Sequence, residues 1–478
     1  MKLPKTGVSF HIANTAMQKL YDTAVEKCSG NLQCFAGDWV LVEGGGYEKI
    51  WLETQPMGGE MYAGYRMDAA LNNQRLFMRT QRADGRLAGS IQCIGDTVEP
   101  QFNKFQGFCF PHSALNMYYL IGRDRAYLDE LAECLEKFDA YLWRWRDSNG
   151  DGCLESFCVY DTGEDNAVRY GDSPVYCVTD TPPTDSDVVP MASMDVMSFS
   201  YAARDTLARI SRIRQDGQEA TWRQKAEEVA QALREHLWDD QRGACFDRDK
   251  HGKVVDVLCH NSLRCMYWGS FSQEMADRFV HEHLMNANEF WTAMPLPSVA
   301  VHDPAFRNAP ENNWSGQCEG LTYQRAIHAL ENYGYDKLVT KLGRTLFQAV
   351  IDGGYVFTQQ FDPFTREPSR VGMTSHDVLK PGDTEPFQDA YGPTLLSVLE
   401  YMAHIYGVHL EMGEVWFSLG RGEMYTYERV WGERTYRIES DGRRASVYVD
   451  GHKHYDMPCG IRLVTSENGD MLRTLAIE

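Results

Sequence analysis

"SALNMYYLIGRDRAYLDELAECLEKFDAYLWRW" runs from Ser113 to Trp145. Apolar residues recur at three- and four-residue spacing over Ala114–Ile121 and again over Ala126–Arg144, the period of one helical face. Gly122 stands where the first of these helices has to stop. The stretch therefore reads as a helical hairpin. The same pattern returns in "ASMDVMSFSYAARDTLARISRI", "ATWRQKAEEVAQALREHLW", "SGQCEGLTYQRAIHALENYGY" and "YGPTLLSVLEYMAHIYGV", with Gly334 as a further stop. Roughly the first four hundred residues are helices joined by loops of uneven length.

Four of those loops are long, polar and rich in glycine and proline: Leu41–Gly59, Asn149–Pro190, Asp303–Trp314 and Gln359–Ala390. Loops of this length are uncommon in compact domains unless they carry function. Collected at one end of a helical scaffold, they would build a deep pocket. Near Met412 the character changes. Tyr, Val, Arg and Thr dominate, and "SDGRR" and "VDGHK" place Asp-Gly between alternating segments, the signature of tight hairpins. This predicts a small antiparallel β module of about 65 residues with no chemistry of its own, capping the helical part.

The chain has 478 residues, of which 43% are hydrophobic and 12% aromatic, enough for a large core and against disorder. Eleven Trp and twenty-five Tyr leave aromatics to line a pocket for a ring-shaped ligand. A net charge of −21 disfavours nucleic acid and anionic lipid, and no Lys/Arg run offsets it. Thirteen Cys occur singly, with no CxxC pair, and no run of eighteen apolar residues is present. These features predict no disulfide framework, no membrane partner and a cytoplasmic location.

"NGDGCLESFCVYDTGEDNAVRY", Asn149 to Tyr170, follows the hairpin directly and holds five carboxylates. Asp147, Asn149, Asp151 and Gly152 match positions 1, 3, 5 and 6 of a calcium loop, but Cys158 replaces the twelfth-position Glu. A self-bonded Asx turn is the better reading, and no metal is expected there. Further on, Asp161, Glu164, Asp165 and Arg169 share one loop, where neighbouring carboxylates raise one another's pKa. Other loops have a similar character. Trp51, Glu53, Gln55, Glu60, Tyr62 and Arg66 fall within "YEKIWLETQPMGGEMYAGYRMD". Gln106 precedes a helix start, while Trp291, Trp314 and Gln317 lie in later loops. Aromatic platforms with carboxylates and amides suit a sugar, which offers an apolar ring face and a rim of hydroxyls. No G-x-S-x-G elbow, HExxH or phosphate loop is present, and no cofactor is implied.

The run from Phe105 to Arg169 resembles the central part of the clan that holds glycoside hydrolase families 63 and 37: processing α-glucosidases, mannosylglycerate and glucosylglycerate hydrolases, and trehalases. In those enzymes a helix pair leads to "rD.DGDGL.E" and then "WESGxDNSPR". Here "RDSNGDGCLE" and "YDTGEDNAVR" follow in the same order. The resemblance covers most of residues 50–405 and implies a mainly α chain. It implies an (α/α)6 barrel over residues 1–411, with the site at one mouth, followed by the small β module over 412–478. It implies that Asp165 is the general acid, that Asp161 stands where the family has Glu, and that Asn166 and Arg169 match. Ala167 and Val168 replace the usual Ser-Pro.

The family's general base is a Glu opening a stretch like "E.Y.P.TG". The equivalent here is "QQFDPFTRE", so Gln359 stands at that place. An amide cannot take a proton from water at neutral pH. Three readings follow. Another carboxylate serves, Glu385 first and then Glu367 or Asp389. Or the chain is a Glu→Gln variant that traps substrate. Or it binds sugar without cleaving it. Phosphorolysis would need a basic cluster, for which only Arg366 and Arg370 are nearby. The expectation is an inverting α-glycosidase acting on a glucoside or related small carbohydrate, with a sugar-binding pseudoenzyme as the rival. The oligomeric state is left open.

Overall fold

The structure, a computed structural model, describes residues 2–311, 313–375 and 377–478. Twelve α-helices lie among them: α1 (Thr15–Gly30), α2 (Gln55–Met61), α3 (Met67–Arg79), α4 (Phe110–Leu120), α5 (Arg125–Trp145), α6 (Met194–Arg214), α7 (Glu219–Leu237), α8 (Asn261–Trp268), α9 (Gln273–Phe279), α10 (Gly320–Glu331), α11 (Asp336–Asp352) and α12 (Gly392–Tyr406). The expected hairpin is α4 and α5. Asp124 caps α5 by accepting from the Tyr127 N–H at 2.8 Å. Gly122 just past α4 adopts φ +88°, a conformation that ends a helix without strain only in glycine.

The even-numbered helices close a ring. α2 packs on α4, α4 on α6, α6 on α8, α8 on α10, α10 on α12, and α12 returns to α2. The odd-numbered helices lie outside it, and α1 closes the outer layer against both α11 and α12. Composition explains which helix goes where. All fifteen residues of α12 are buried because its sequence is nearly apolar all round, and all eight of α8 are buried because its Asn261 and Arg264 pair with Glu164 and Asp195. The outer helix α7 buries only Ala226, Val229, Leu233 and Leu237, a single stripe. Each fully buried Leu or Val of the inner ring contributes about 1.5–3 kcal/mol. Leu395→Ala in α12 would leave a cavity costing about 2–5 kcal/mol.

The β module is two antiparallel sheets. One has five strands in the order Thr6–Ile12, Met424–Trp431, Arg434–Asp441, Arg444–Val449 and His452–Pro458. The other has four: Val408–Glu411, Glu414–Leu419, Ile461–Ser466 and Met471–Ala476. Val449 pairs with His452 across the two-residue Asp450-Gly451 turn, where both residues have positive φ, as the hairpin twist demands. The expected boundary at 411/412 is corrected on two counts. The module begins at Val408, immediately after α12. The strand Thr6–Ile12 belongs to it as well, running antiparallel to Met424–Trp431 with Ile12 opposite Tyr425 and Thr6 opposite Trp431. Strand pairing across such a sequence separation is invisible to local pattern.

Candidate active site

Loops at the N-terminal ends of α10 and α12 surround a cavity of 540 Å³. A circuit of backbone hydrogen bonds joins them. The Trp314 N–H donates to the Asp165 carbonyl at 3.0 Å, and the Gly320 N–H to the Gln359 carbonyl at 2.8 Å. The Gly392 N–H donates to the Glu43 carbonyl at 2.6 Å, and the Cys109 N–H to that of Leu52 at 3.3 Å. The Gln106 N–H, donating to the Tyr160 carbonyl at 2.9 Å, closes the circuit. Asp165 thus stands two links away, in either direction, from the arc that carries Gln359, Tyr391 and Glu43.

Aromatic side chains panel the cavity: Tyr47, Trp51, Tyr160, Tyr176, Trp314 and Tyr391. Tyr160 and Tyr176 meet edge to face at 5.0 Å. The Nζ atoms of Lys49 and Lys104 lie 5.4 and 5.1 Å from the Trp51 ring centroid. Burial, helped by Lys49, lowers Lys104 to about 8. Glu43 reaches the cavity from "EGGGY", where Gly44, Gly45 and Gly46 all have positive φ (77°, 61° and 94°). A Cβ on Gly44 would lie 2.5 Å from the Ala390 carbonyl oxygen, so the turn cannot carry side chains there. The Tyr391 hydroxyl donates to Glu43 Oε1 at 3.1 Å, and the Tyr47 hydroxyl to Gln359 Oε1 at 3.2 Å.

The acids form one electrostatic group. Burial pushes Glu43 well above the usual carboxylate range, and the charges of Glu53 and Asp165 push it further. Burial raises Glu53 to about 8, although Arg325 pulls the other way at 3.3 Å. Glu319, behind the wall, is also raised by burial, with Asp165 and Glu53 adding to it; its Oε1 accepts from the Gln360 amide at 2.5 Å.

Beneath the Asp165 loop lies a buried ion cluster. Arg169 pairs with Glu164, with Asp195 of α6 at 2.8 Å, and with Asp247. Arg264 of α8 pairs with Glu164 at 3.1 Å and Asp195 at 3.2 Å. Burial works against the charge of Glu164, but Arg169, Arg264 and His260 hold it well below the usual range. This cluster bolts the loop to the inner ring. Asp161 is buried too, paired with Arg146 and accepting the Phe157 N–H at 2.8 Å.

Of the residues singled out from sequence, Asp165, Gln359, Trp51, Glu53, Gln106 and Trp314 line the cavity. The others stand elsewhere. Asp161 and Arg169 support the loop from below, and Asn166, exposed beside Asp165, accepts the Ser315 hydroxyl on its carbonyl at 3.0 Å. Gln317 is buried and ties Asn308 to Ser369. Gln55 accepts the Trp51 N–H at 2.8 Å at the start of α2. Tyr62 stacks on Tyr65 at 5.2 Å, and Arg66 pairs with Asp68 at 2.6 Å. Glu60 points to a different cavity.

The base candidates of the 359–389 loop are corrected as well. Glu385 does not line the cavity: hydrogen bonds from Thr374 and Ser375 bind its carboxylate and hold it near 2. Glu367 is exposed, and Asp389 pairs with Lys27. What pattern reading missed is Glu43, Tyr47, Tyr160, Tyr176, Gln388 and Tyr391. The Gly-Gly-Gly run after Glu43 was the available signal. In the calcium-like loop, Asn149 and Asp151 accept the N–H groups of Asp151 and Cys153 at 3.0 and 2.8 Å, the predicted Asx turns.

Residues 61–377 match the model of the mannosylglycerate hydrolase MGH1-like glycoside hydrolase domain. The chain belongs to the MGH1-like glycoside hydrolases. Among solved structures, this MGH1-like chain is similar to the GH63 mannosylglycerate hydrolase of Thermus thermophilus in complex with glucose. That match has 16% identity over 80% of this chain and 99% of that one, with a TM-score of 0.61. The neutral trehalase Nth1 of Saccharomyces cerevisiae matches at 14% identity over 77% of this chain and 74% of that one, TM-score 0.54. A structure described as a sialidase matches at 14% identity and TM-score 0.69, over 97% of this chain and 41% of that one. The last match takes in the β sheets as well as the helical ring. At these identities the likeness is one of fold. The expected relationship to families 63 and 37 is borne out.

Proposed function

We propose that this MGH1-like chain is an inverting α-glycosidase acting on a small α-linked glucoside or related sugar. Asp165 is the general acid and Glu43 the general base. The closed helical ring supports reading the fold as the (α/α)6 barrel. The observation that carries the proposal is that Asp165 and Glu43 line one cavity from separate arcs of the rim circuit. The charge of Asp165 adds to burial and to the charge of Glu53 in raising Glu43. Glu43 acts as base only in its ionised form, so its raised pKa should set the acidic limb of the pH dependence of turnover.

In the step proposed, Asp165 gives its proton to the glycosidic oxygen as the C–O bond breaks. Glu43 takes a proton from the water whose oxygen bonds to the anomeric carbon from the other face. Inversion needs the carboxyl groups roughly 6.5–9.5 Å apart to admit that water. Glu53 suits this less well. A Cβ on Gly163 would meet its Oε2 at 2.1 Å, so Glu53 packs under the same loop that carries Asp165. Glu319 lies behind Gln360. Gln359, with Tyr47 on its oxygen, binds sugar hydroxyls. The cavity volume fits a disaccharide-sized ligand. Lys49 and Lys104 beside Trp51 favour an acidic aglycone, and the family's own description names a glycoside of this kind, mannosylglycerate.

Gln359 favours one second reading, a protein that binds sugar without cleaving it. A screen of α-linked gluco-, manno- and rhamno-configured disaccharides and glycerate glycosides separates the two. Hydrolysis abolished by Asp165→Asn supports the enzyme. Calorimetric binding with no cleavage of any member supports the binder.

A further inference from the structure

A second cavity, of 330 Å³, lies toward the C-terminal ends of α10 and α12. His404 is thirteen residues beyond Tyr391, about 20 Å along the helix from the candidate active site. The sequence "EYMAHIYGVH" places Glu400 and His404 one turn apart on α12 and His409 on the first strand of the β module.

These three side chains converge. Glu400 Oε1 is 3.0 Å from His404 Nε2 and 2.9 Å from His409 Nδ1. One donor atom from each lies within 4.8 Å of the others. Two ligand atoms held about 2.0 Å from a tetrahedral zinc are roughly 3.3 Å apart, so small rotations would admit an ion. The outer nitrogens are also arranged. His404 Nδ1 meets Glu331 at 2.7 Å, and His409 Nε2 meets Glu411 at 3.1 Å. Each imidazole thus has a carboxylate behind it, the arrangement that orients metal-binding histidines and raises their basicity. Charge points the same way. Glu60, Glu331, Glu400, Glu411 and Glu414 line the cavity with Arg209, while Arg462 pairs with Glu331 at 2.6 Å and Asp336 at 3.0 Å. Carboxylates exceed fixed cations.

We infer that Glu400, His404 and His409 form a binding site for a divalent ion of the zinc class, fastening the end of α12 to the β module. Two imidazoles and one carboxylate suit such an ion better than calcium or magnesium, which prefer all-oxygen shells. All three side chains line the cavity, which would leave a fourth position open to water. The site does not depend on the glycosidase reading.

The test uses the full chain, stripped with chelator and then given zinc or cobalt. One zinc per chain should survive gel filtration, and the melting temperature should rise by about 5 °C, as expected when an ion binds only the folded state. The cobalt form should show visible d–d absorption without a sulfur-to-cobalt band. Glu400→Gln and His409→Asn should each weaken zinc binding at least about tenfold. Less than a tenth of an equivalent bound by the wild-type chain would overturn the site. So would zinc held equally well by both variants, or a sulfur-to-cobalt band, since either would place the ion on other groups. Should a variant fail to fold, wild-type stoichiometry and the cobalt spectrum still decide.

Discussion

The N–H of Trp314 donates to the carbonyl of Asp165 at 3.0 Å. The loop that carries the candidate acid is therefore held from the side by its neighbour loop and from below by Arg169. The two kinds of contact have different consequences. Asp165→Asn changes one atom of a side chain that faces the cavity. It should leave the melting temperature within about 2 °C while lowering turnover by several orders of magnitude. Arg169→Met leaves Asp247 without its guanidinium and Glu164 and Asp195 with Arg264 alone, and should cost about 3–5 kcal/mol of stability. Calorimetric unfolding of the two variants checks both. Equal destabilisation would mean that Asp165 is a structural residue.

Stability should depend on pH through the buried acids. Glu319 has a folded pKa raised above its unfolded value. It binds a proton in the folded state that the unfolded chain has already lost. Its contribution is complete below the unfolded value and declines as pH rises toward the folded one. Glu319→Gln keeps an acceptor for the Gln360 amide and cannot ionise. Its melting temperature should therefore gain on wild type as pH goes from 5 to 8. A difference constant across that range would contradict the placement of this proton.

Lys104 tests the acidic aglycone. Its folded value near 8 means that the ammonium charge is lost as pH rises through that point. KM for a glycerate glycoside should rise above pH 8, while KM for a neutral disaccharide should not. Lys104→Met should raise KM for the acidic substrate about tenfold at pH 7 and abolish that limb. Equal effects on both substrates would remove the lysine from recognition.

Gln359→Glu adds a carboxylate beside Tyr47, close to Glu43 and Glu319. With Glu43 as base, the extra charge raises the neighbouring acids further and should lower turnover or leave it unchanged. A strong gain in hydrolysis would instead identify position 359 as the place of a missing base.

Helical pattern was legible wherever a segment was long and one-faced or wholly apolar. The α4–α5 hairpin and α12 are examples. The short inner helices α2 and α8 carry Gln, Glu, Asn and Arg that are buried because they pair with loops and neighbouring helices, so periodicity could not mark them. The strand Thr6–Ile12 was missed because its partner lies more than four hundred residues away. In the site, Asp165 was legible through its motif. Glu43 was not, since a lone Glu before glycines acquires meaning only when Tyr391 and the rim circuit bring it to the cavity. Arg169 was expected to bind substrate, but its guanidinium is taken up by buried carboxylates, a fact that only packing reveals.

The account rests most directly on Glu43 as the base opposite Asp165. The decisive measurement is proton NMR of the anomeric signal during cleavage of an α-linked substrate by wild type and Glu43→Gln. The account predicts that wild type releases the β-anomer first and that Glu43→Gln cleaves at least about a thousandfold more slowly. Release of the α-anomer first, or wild-type rates in Glu43→Gln, would contradict it.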